Sequence, residues 1–176
     1  MKLLIVVDMQ NDFIAGALGT PEALKIVPYV KQRIQSFDGK VVFTLDTHDD
    51  SYLKHEEGKH LPVLHCIKGT WGHQLHQDLL PYAIKTGAKL IEKHTFGSKE
   101  LIDYLNELNF QEQISSIELL GLCTDICVIS NALLIKTYFP DIPISVDASG
   151  SAGVTPTSHQ NALEAMKMCH IEIKNN

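Results

Sequence analysis

The chemistry-bearing residues of this chain are densest in Gly121-Leu122-Cys123-Thr124-Asp125-Ile126-Cys127-Val128. An apolar run, Ile117 to Leu120, leads into the octet and is short enough to be a buried strand. Beyond it, Val128, Leu133, Leu134 and Tyr138 are placed to pack on a helix. The octet therefore reads as strand, tight turn and helix start, with Cys127 near the first helical turn. A thiol there faces the positive end of the helix dipole, which lowers its pKa and favours the nucleophilic thiolate. A buried cysteine in a strand–helix corner shows the same local pattern, so the surrounding residues decide between the two.

A thiol nucleophile needs a nearby base or cation and an acid that later protonates the leaving group. Asp8 closes the apolar run that starts at Lys2; alone, an acid there fits a general base equally with a Mg2+ ligand or a phosphoryl acceptor. Lys93 closes Lys89-Leu90-Ile91-Glu92-Lys93, either as a cation for carboxylate and thiolate or as a solvated strand end. Asp46-x-His48, followed by His55, Glu56, Glu57, His60 and His65, has the composition of a metal site. Imidazoles with carboxylates suit Zn2+, Mn2+ or Fe2+. The spacing is neither a zinc finger nor HExxH, and a solvated loop can be equally rich in His.

The elements that must position these groups follow from apolar periodicity. Strands are expected at Lys2 to Asp8, Lys40 to Asp46, Lys89 to Lys93, Ile117 to Leu120 and Ile142 to Val146, with a small edge strand at Ile171 to Ile173. A short helical turn is expected from Thr20, with helices at Tyr29 to Phe37 (Pro28 at its first position), Leu75 to Tyr82, after Ser98, after Cys127, and at Thr157 to Met168. Thr47 to Gly72 is too long for a plain connection and reads as a functional loop. Alternating strands and helices predict an α/β fold, a doubly wound and mostly parallel sheet with right-handed crossovers. Sites in such sheets lie beyond the C-terminal strand ends, where Asp8, Asp46, Lys93, Cys123, Cys127 and Asp147 are all expected.

With 176 residues, 44% of them hydrophobic, residues 1–176 are expected to form one domain with a core that needs no covalent staples. The net charge of −6 disfavours nucleic acid and anionic membranes as partners. No apolar run reaches transmembrane length. The cysteines Cys66, Cys123, Cys127 and Cys169 have neither zinc spacing nor the density of a secreted disulfide scaffold, so a cytoplasmic location is expected.

Taken together, Val6-Val7-Asp8-Met9-Gln10-Asn11-Asp12-Phe13, Asp46-x-His48, His65-Cys66-x-x-Gly69-Thr70, Lys93-x-Thr95-Phe96 and the Cys127 octet resemble the isochorismatase-like cysteine hydrolases, and within them the nicotinamidase/pyrazinamidase enzymes. The matches come in family order from Leu3 to about Ala148. The resemblance implies a Rossmann-like three-layer α/β/α domain and a triad of Asp8, Lys93 and Cys127. It also implies a cis peptide at Leu122-Cys123, with the amides of Cys123 and Cys127 as the oxyanion hole. One divalent metal, Zn2+ first and Mn2+ or Fe2+ as alternatives, would be held by Asp46, His48, His65 and a third loop residue. Glu57 is the choice for that residue, with His55 and Glu56 in reserve. The metal would orient a pyridine ring, walled by Phe13 and Phe96.

The implied reaction is hydrolysis of a small-molecule amide, nicotinamide first, through a Cys127 thioester in a homo-oligomer. Two departures stand out. The aromatic residue nicotinamidases often carry shortly before the metal-binding His is replaced by Leu61, Val63 and Leu64, with Trp71 after it, and the chain is short for that group. The alternatives are another amidase or ureidohydrolase of the superfamily and, more remotely, a dithiol redox protein using Cys123 and Cys127.

Overall fold

A computed structural model describes residues 1–176. Six strands, β1 (Lys2–Val7), β2 (Lys40–Asp46), β3 (Lys89–Lys93), β4 (Ser116–Leu122), β5 (Ile144–Ala152) and β6 (Glu172–Lys174), form one sheet in the order β3-β2-β1-β4-β5-β6. Every neighbouring pair is parallel. Seven helices connect them: α1 (Asn11–Ile14), α2 (Pro21–Ser36), α3 (Glu56–His60), α4 (Leu80–Thr86), α5 (Lys99–Gln111), α6 (Ile129–Tyr138) and α7 (Pro156–Met168). No helix is long and apolar enough to cross a membrane.

Strand alternation divides the core into two layers. Leu3, Ile5 and Val7 of β1 join Leu101, Leu105, Ile135 and Leu163 from α5, α6 and α7. Leu4 and Val6 face the other way, onto Val27, Val30 and Ile34 of α2 and Ala83 of α4. From Leu3 to Val7 the side chains of β1 are fully buried on both faces, as a central parallel strand requires. The strand order reverses direction between β1 and β4. A crevice at the C-terminal ends of those two strands is where such a sheet opens to a ligand, and there the chain leaves β1 at Asp8 and β4 at Cys123.

Four expectations are corrected. Pro28 does not start a helix; α2 runs unbroken from Pro21, with Thr20 Oγ1 accepting from the Ala23 N–H at 3.0 Å. An internal proline costs about 3 kcal/mol, and the buried stripe Ala23, Val27, Val30 and Ile34 offsets it by packing on the sheet. Leu75 is not helical but bridges Gln10, and the helix starts at Leu80 with Pro81 in its first turn. The fifth strand begins after Pro143 and continues to Ala152. Asp147 is therefore inside the strand rather than at its end. Its buried carboxylate accepts from Tyr29 Oη at 3.0 Å and Arg33 Nε at 3.2 Å, away from the other strand-end residues.

Candidate active site

β1 hands the chain to Asp8 in a left-handed conformation, φ +47°, which Asp tolerates better than most residues. Thr44 of the neighbouring β2 fixes this carboxylate. Its hydroxyl donates to Asp8 Oδ1 at 2.7 Å and its carbonyl accepts the Asp8 N–H at 3.2 Å. Asp8 Oδ2 lies 2.8 Å from Lys93 Nζ, and no aligned hydrogen bond occupies it.

Lys93 is completely buried. Its Nζ also lies 3.0 Å from Asp46 Oδ1, 3.2 Å from the Thr95 carbonyl and 3.4 Å from Cys127 Sγ. A buried ammonium needs such partners. Although burial works against its charge, Asp8, Cys127 and Asp46 hold its pKa well above the usual lysine value.

Cys127 reaches this ammonium through the way β4 ends. Gly121 has φ +123°, and a Cβ there would stand 2.1 Å from the Val7 carbonyl, so only glycine lets β4 lie this close to β1. The Leu122–Cys123 peptide is cis. Thr124–Val128 then form a π-helical turn, in which the Val128 N–H donates to the Cys123 carbonyl at 3.0 Å, before α6 begins. Turns of this kind concentrate at functional sites. The Asp125 carboxylate accepts the Val154 N–H, and Thr124 Oγ1 pairs with His159 Nδ1 at 2.8 Å, pinning the turn to the start of α7.

The dipole expectation for Cys127 is corrected here. The residue precedes α6 rather than opening it, and its side chain is buried beside two carboxylates. Burial pushes the thiol well above its usual pKa, Lys93 pulls the other way, and Asp8 and Asp46 add to the rise. Asp8 is likewise raised by burial against the pull of Lys93. One ammonium, that of Lys93, faces both Cys127 Sγ at 3.4 Å and Asp8 Oδ2 at 2.8 Å.

Asp46 divides its carboxylate between two groups. Oδ1 faces Lys93, while Oδ2 lies 2.9 Å from His48 Nε2 and 3.5 Å from His65 Nε2. Glu57 Oε1 closes the set at 3.7 Å from His48 Nε2 and 4.0 Å from His65 Nε2. One donor atom from each of Asp46, His48, Glu57 and His65 falls within 4.8 Å of every other. Ligands about 2.0–2.2 Å from a tetrahedral ion stand roughly 3.4 Å apart, so the donor set fits a divalent metal in spacing and in its two-nitrogen, two-oxygen chemistry. His65 Nδ1 is spent on the Val63 carbonyl at 2.8 Å, which leaves Nε2 directed at the cluster.

The His65 pKa is raised: burial alone would lower it, but Asp46 and the Val63 carbonyl outweigh that. Burial and Asp46 raise Glu57. Asp46 is held far below the carboxylate range by His48, His65 and Lys93, in spite of burial. Of the reserve ligands, His55 turns to Ser51 Oγ at 2.8 Å, and Glu56 pairs with Lys59 at 3.0 Å in solvent. His60 is exposed as well. Gly58 lets α3 pack close enough to bring Glu57 in, since a Cβ there would meet the Tyr52 carbonyl at 2.2 Å.

Phe13 sits edge-on to His65, ring centroids 5.5 Å apart. Phe96 lies three residues after Lys93 and is 45% exposed. Cys123 is partly buried, and burial raises its thiol pKa to about 12. Tyr52, which sequence reading passed over, is buried against both histidines, 4.5 Å from His48 and 5.0 Å from His65. Its phenol is raised to about 12 by burial and by the Glu57 and Asp46 charges.

Gln10 was missed too. Its side chain behaves like an extra strand partner for Asp46: Nε2 donates to the Asp46 carbonyl at 2.9 Å and Oε1 accepts the Asp46 N–H at 2.8 Å. Asp12 accepts the Cys66 N–H at 2.8 Å beside His65. A buried Gln between apolar strand ends, and a Tyr at the head of a His-rich loop, were the available signals. A surface groove of about 970 Å3 opens at the opposite end of the sheet around Lys2, Lys40 and Lys89, and holds neither nucleophile nor metal-ligand set.

A sheet with a thiol, an acid and a buried lysine at its switch point defines a class of fold and site, and comparison with known proteins agrees with it. The isochorismatase domain model matches residues 2–173. The chain belongs to the isochorismatase family. It is 33% identical to the Bacillus subtilis "uncharacterized isochorismatase family protein PncA" over 174 residues, covering 92% of each chain. The pyrazinamidase of Pyrococcus horikoshii, solved in complex with zinc, superposes with a TM-score of 0.80 at 29% identity, over 98% of this chain and 97% of that one. The pyrazinamidase/nicotinamidase of Streptococcus mutans gives 0.86 at 28% identity, over 98% and 99%.

Proposed function

We propose that this protein is a metal-containing cysteine amidohydrolase that converts nicotinamide and water to nicotinate and ammonia. Its class is that of its relatives, hydrolases acting on amide C–N bonds. The observation that carries the finer reading is the single buried Lys93 ammonium shared by Asp8, Cys127 and Asp46, beside the Asp46/His48/Glu57/His65 donor set.

In this reading Cys127 passes its proton to Asp8 Oδ2 as sulfur attacks the amide carbonyl carbon. The developing charge is offset by Lys93 on the sulfur side and by the backbone N–H groups of Cys123 and Cys127 on the oxygen side. Collapse of the tetrahedral adduct breaks the C–N bond, and the proton on Asp8 leaves with ammonia. Asp8 then removes a proton from water, which attacks the thioester. The C–S bond breaks, the acid is released and the thiol regains its proton. A divalent ion on Asp46, His48, Glu57 and His65 would supply a Lewis-acid anchor for the pyridine nitrogen, Zn2+ being the first expectation. Phe13 stands where it could wall the ring.

A second reading, an amidase or ureidohydrolase for a non-aromatic substrate, rests on Phe96. Its ring is 45% exposed and stacks on none of Phe13, Tyr52, His48 or His65, which leaves Phe13 as the one placed ring wall. Ammonia release from a panel of aromatic and aliphatic amides and ureido compounds, with and without added Zn2+, tests both. Nicotinamide and pyrazinamide are expected to lead the panel in a metal-dependent manner. Preference for an aliphatic or ureido substrate would overturn the nicotinamidase reading and leave the second.

A further inference from the structure

The Cys127 turn and the loop that follows Lys93 approach each other from different strands, and one side chain joins them. Asn131 of α6 is completely buried. Its Oδ1 accepts the Ser98 N–H at 2.9 Å, and its Nδ2 donates to the Phe96 carbonyl at 3.0 Å and to the Cys127 carbonyl at 2.8 Å. The amide orientation is dictated by its surroundings, because a flipped group would set NH2 against an N–H and oxygen against two carbonyls. The Cys127 carbonyl lies at the junction between the π-turn and α6, where the hydrogen-bond register changes from five residues to four. Asn131 supplies a donor at that junction from a side chain.

We infer that Asn131 is a positioning residue that sets the Cys127 thiol against Lys93 by tying the Cys127 turn to the loop that follows Lys93. This rests on Cys127 being the nucleophile. The Cys127 segment is tied to Asn131 through its carbonyl. The Lys93 segment is tied through Phe96 and Ser98, and Lys93 itself donates to Thr95 of the same loop. The 3.4 Å between Nζ and Sγ is therefore spanned on its far side by one amide. Buried polar links with every partner satisfied impose a single geometry, and a misplacement near 1 Å at a reacting group is worth about 100-fold in rate. The two arms do different work. The Cys127 arm governs attack and acts on kcat, while the Phe96/Ser98 arm sets the loop that follows Lys93 and acts on KM.

Asn131→Asp keeps the acceptor for Ser98 and loses both donated bonds. Asn131→Thr keeps one hydroxyl that reaches back to the carbonyl four residues earlier, here Cys127, but spans neither Phe96 nor Ser98. Steady-state constants, the rate of Cys127 carbamidomethylation by iodoacetamide and the affinity for Zn2+ are measured for both, beside Cys127→Ala. Asn131→Asp is expected to lose about 100-fold in kcat and to alkylate about tenfold more slowly, with Zn2+ affinity unchanged. Asn131→Thr is expected to alkylate and turn over at the wild-type rate with a raised KM.

General loosening of the fold would instead lower Zn2+ affinity together with the other constants, and that result overturns the inference. Wild-type kcat and alkylation in Asn131→Asp overturn it as well. If the buried carboxylate prevents folding, Asn131→Thr decides, since a wild-type KM there is also contrary. Activity surviving in Cys127→Ala would refute the nucleophile assignment instead, whereas an inactive Cys127→Ala beside unaffected Asn131 variants refutes this inference alone.

Discussion

Replacing Asp8 with Asn is expected to reduce kcat for amide hydrolysis by roughly 10^4-fold, the upper range for a positioned acid–base group, without unfolding the protein. The amide cannot take the Cys127 proton, deliver it to ammonia or deprotonate water. Lys93 keeps Asp46 as its counter-charge at 3.0 Å, so the buried ammonium is not left alone. Lys93→Ala should behave differently. It strands two buried carboxylates, Asp8 and Asp46, without the cation they share, and breaking a buried pair in this way costs roughly 3–5 kcal/mol of stability. Combining Asp8→Asn with Lys93→Ala should then recover part of the stability lost by Lys93→Ala alone, and the rate losses should not multiply. Denaturant melts and kcat for the four proteins check this. Strict additivity in both would mean that the three groups do not act as a unit.

His65→Ala and Asp46→Ala are expected to separate metal binding from thiol chemistry in the Asp46/His48/Glu57/His65 set. Loss of a direct ligand should lower Zn2+ affinity by more than about 100-fold, beyond the range seen for outer-shell partners. His65→Ala should do so while leaving the iodoacetamide rate of Cys127 unchanged, because Lys93 keeps Asp8 and Asp46. Asp46→Ala should lose Zn2+ and also change that rate, since its other oxygen faces Lys93. Glu57→Gln belongs with His65→Ala, whereas replacing His55 or Glu56 should leave Zn2+ affinity unaltered.

The same cluster carries a pH dependence with a definite sign. His65 must shed a proton to bind metal, and against the pull of burial its pKa is raised by Asp46 and the Val63 carbonyl. Zn2+ affinity should therefore fall as the pH drops through that raised value and level off above it. Elemental analysis and alkylation kinetics decide the assignment. A protein isolated without metal and fully active in excess EDTA would remove the metal from the account and leave the thiol chemistry standing.

The strand ends were legible because each candidate site residue closes a strand-like run: Asp8 after Val7, Asp46 after Leu45, Lys93 shortly after Leu90 and Ile91. A parallel sheet turns that local signal into a common location. Glu57 could be singled out only through resemblance, since His55, Glu56 and His60 have the same chemistry and only the packing of Gly58 on Tyr52 decides which one turns inward. Asp147 misled because composition does not reveal how far a strand continues. Pro28 misled because a buried stripe overrode a local preference. Gln10, Thr44, Tyr52 and Asn131 act by hydrogen bonding or packing across elements distant in sequence, 36 residues in the case of Thr44 and Asp8. No spacing rule reports such contacts. The direction of the thiol's pKa shift was misjudged for a similar reason, since helix position is a local property whereas burial beside two carboxylates is a property of the assembled site.

The central claim is that Cys127, and no other thiol, attacks the amide. Ammonia release from nicotinamide by Zn2+-loaded wild type, Cys127→Ala and Cys123→Ala tests it most directly. The account predicts release by wild type and by Cys123→Ala at rates within a few-fold of each other, on the order expected for a change at a non-reacting neighbour, and none by folded Cys127→Ala. Sustained release by Cys127→Ala, or its loss in Cys123→Ala with Cys127 intact, would contradict it.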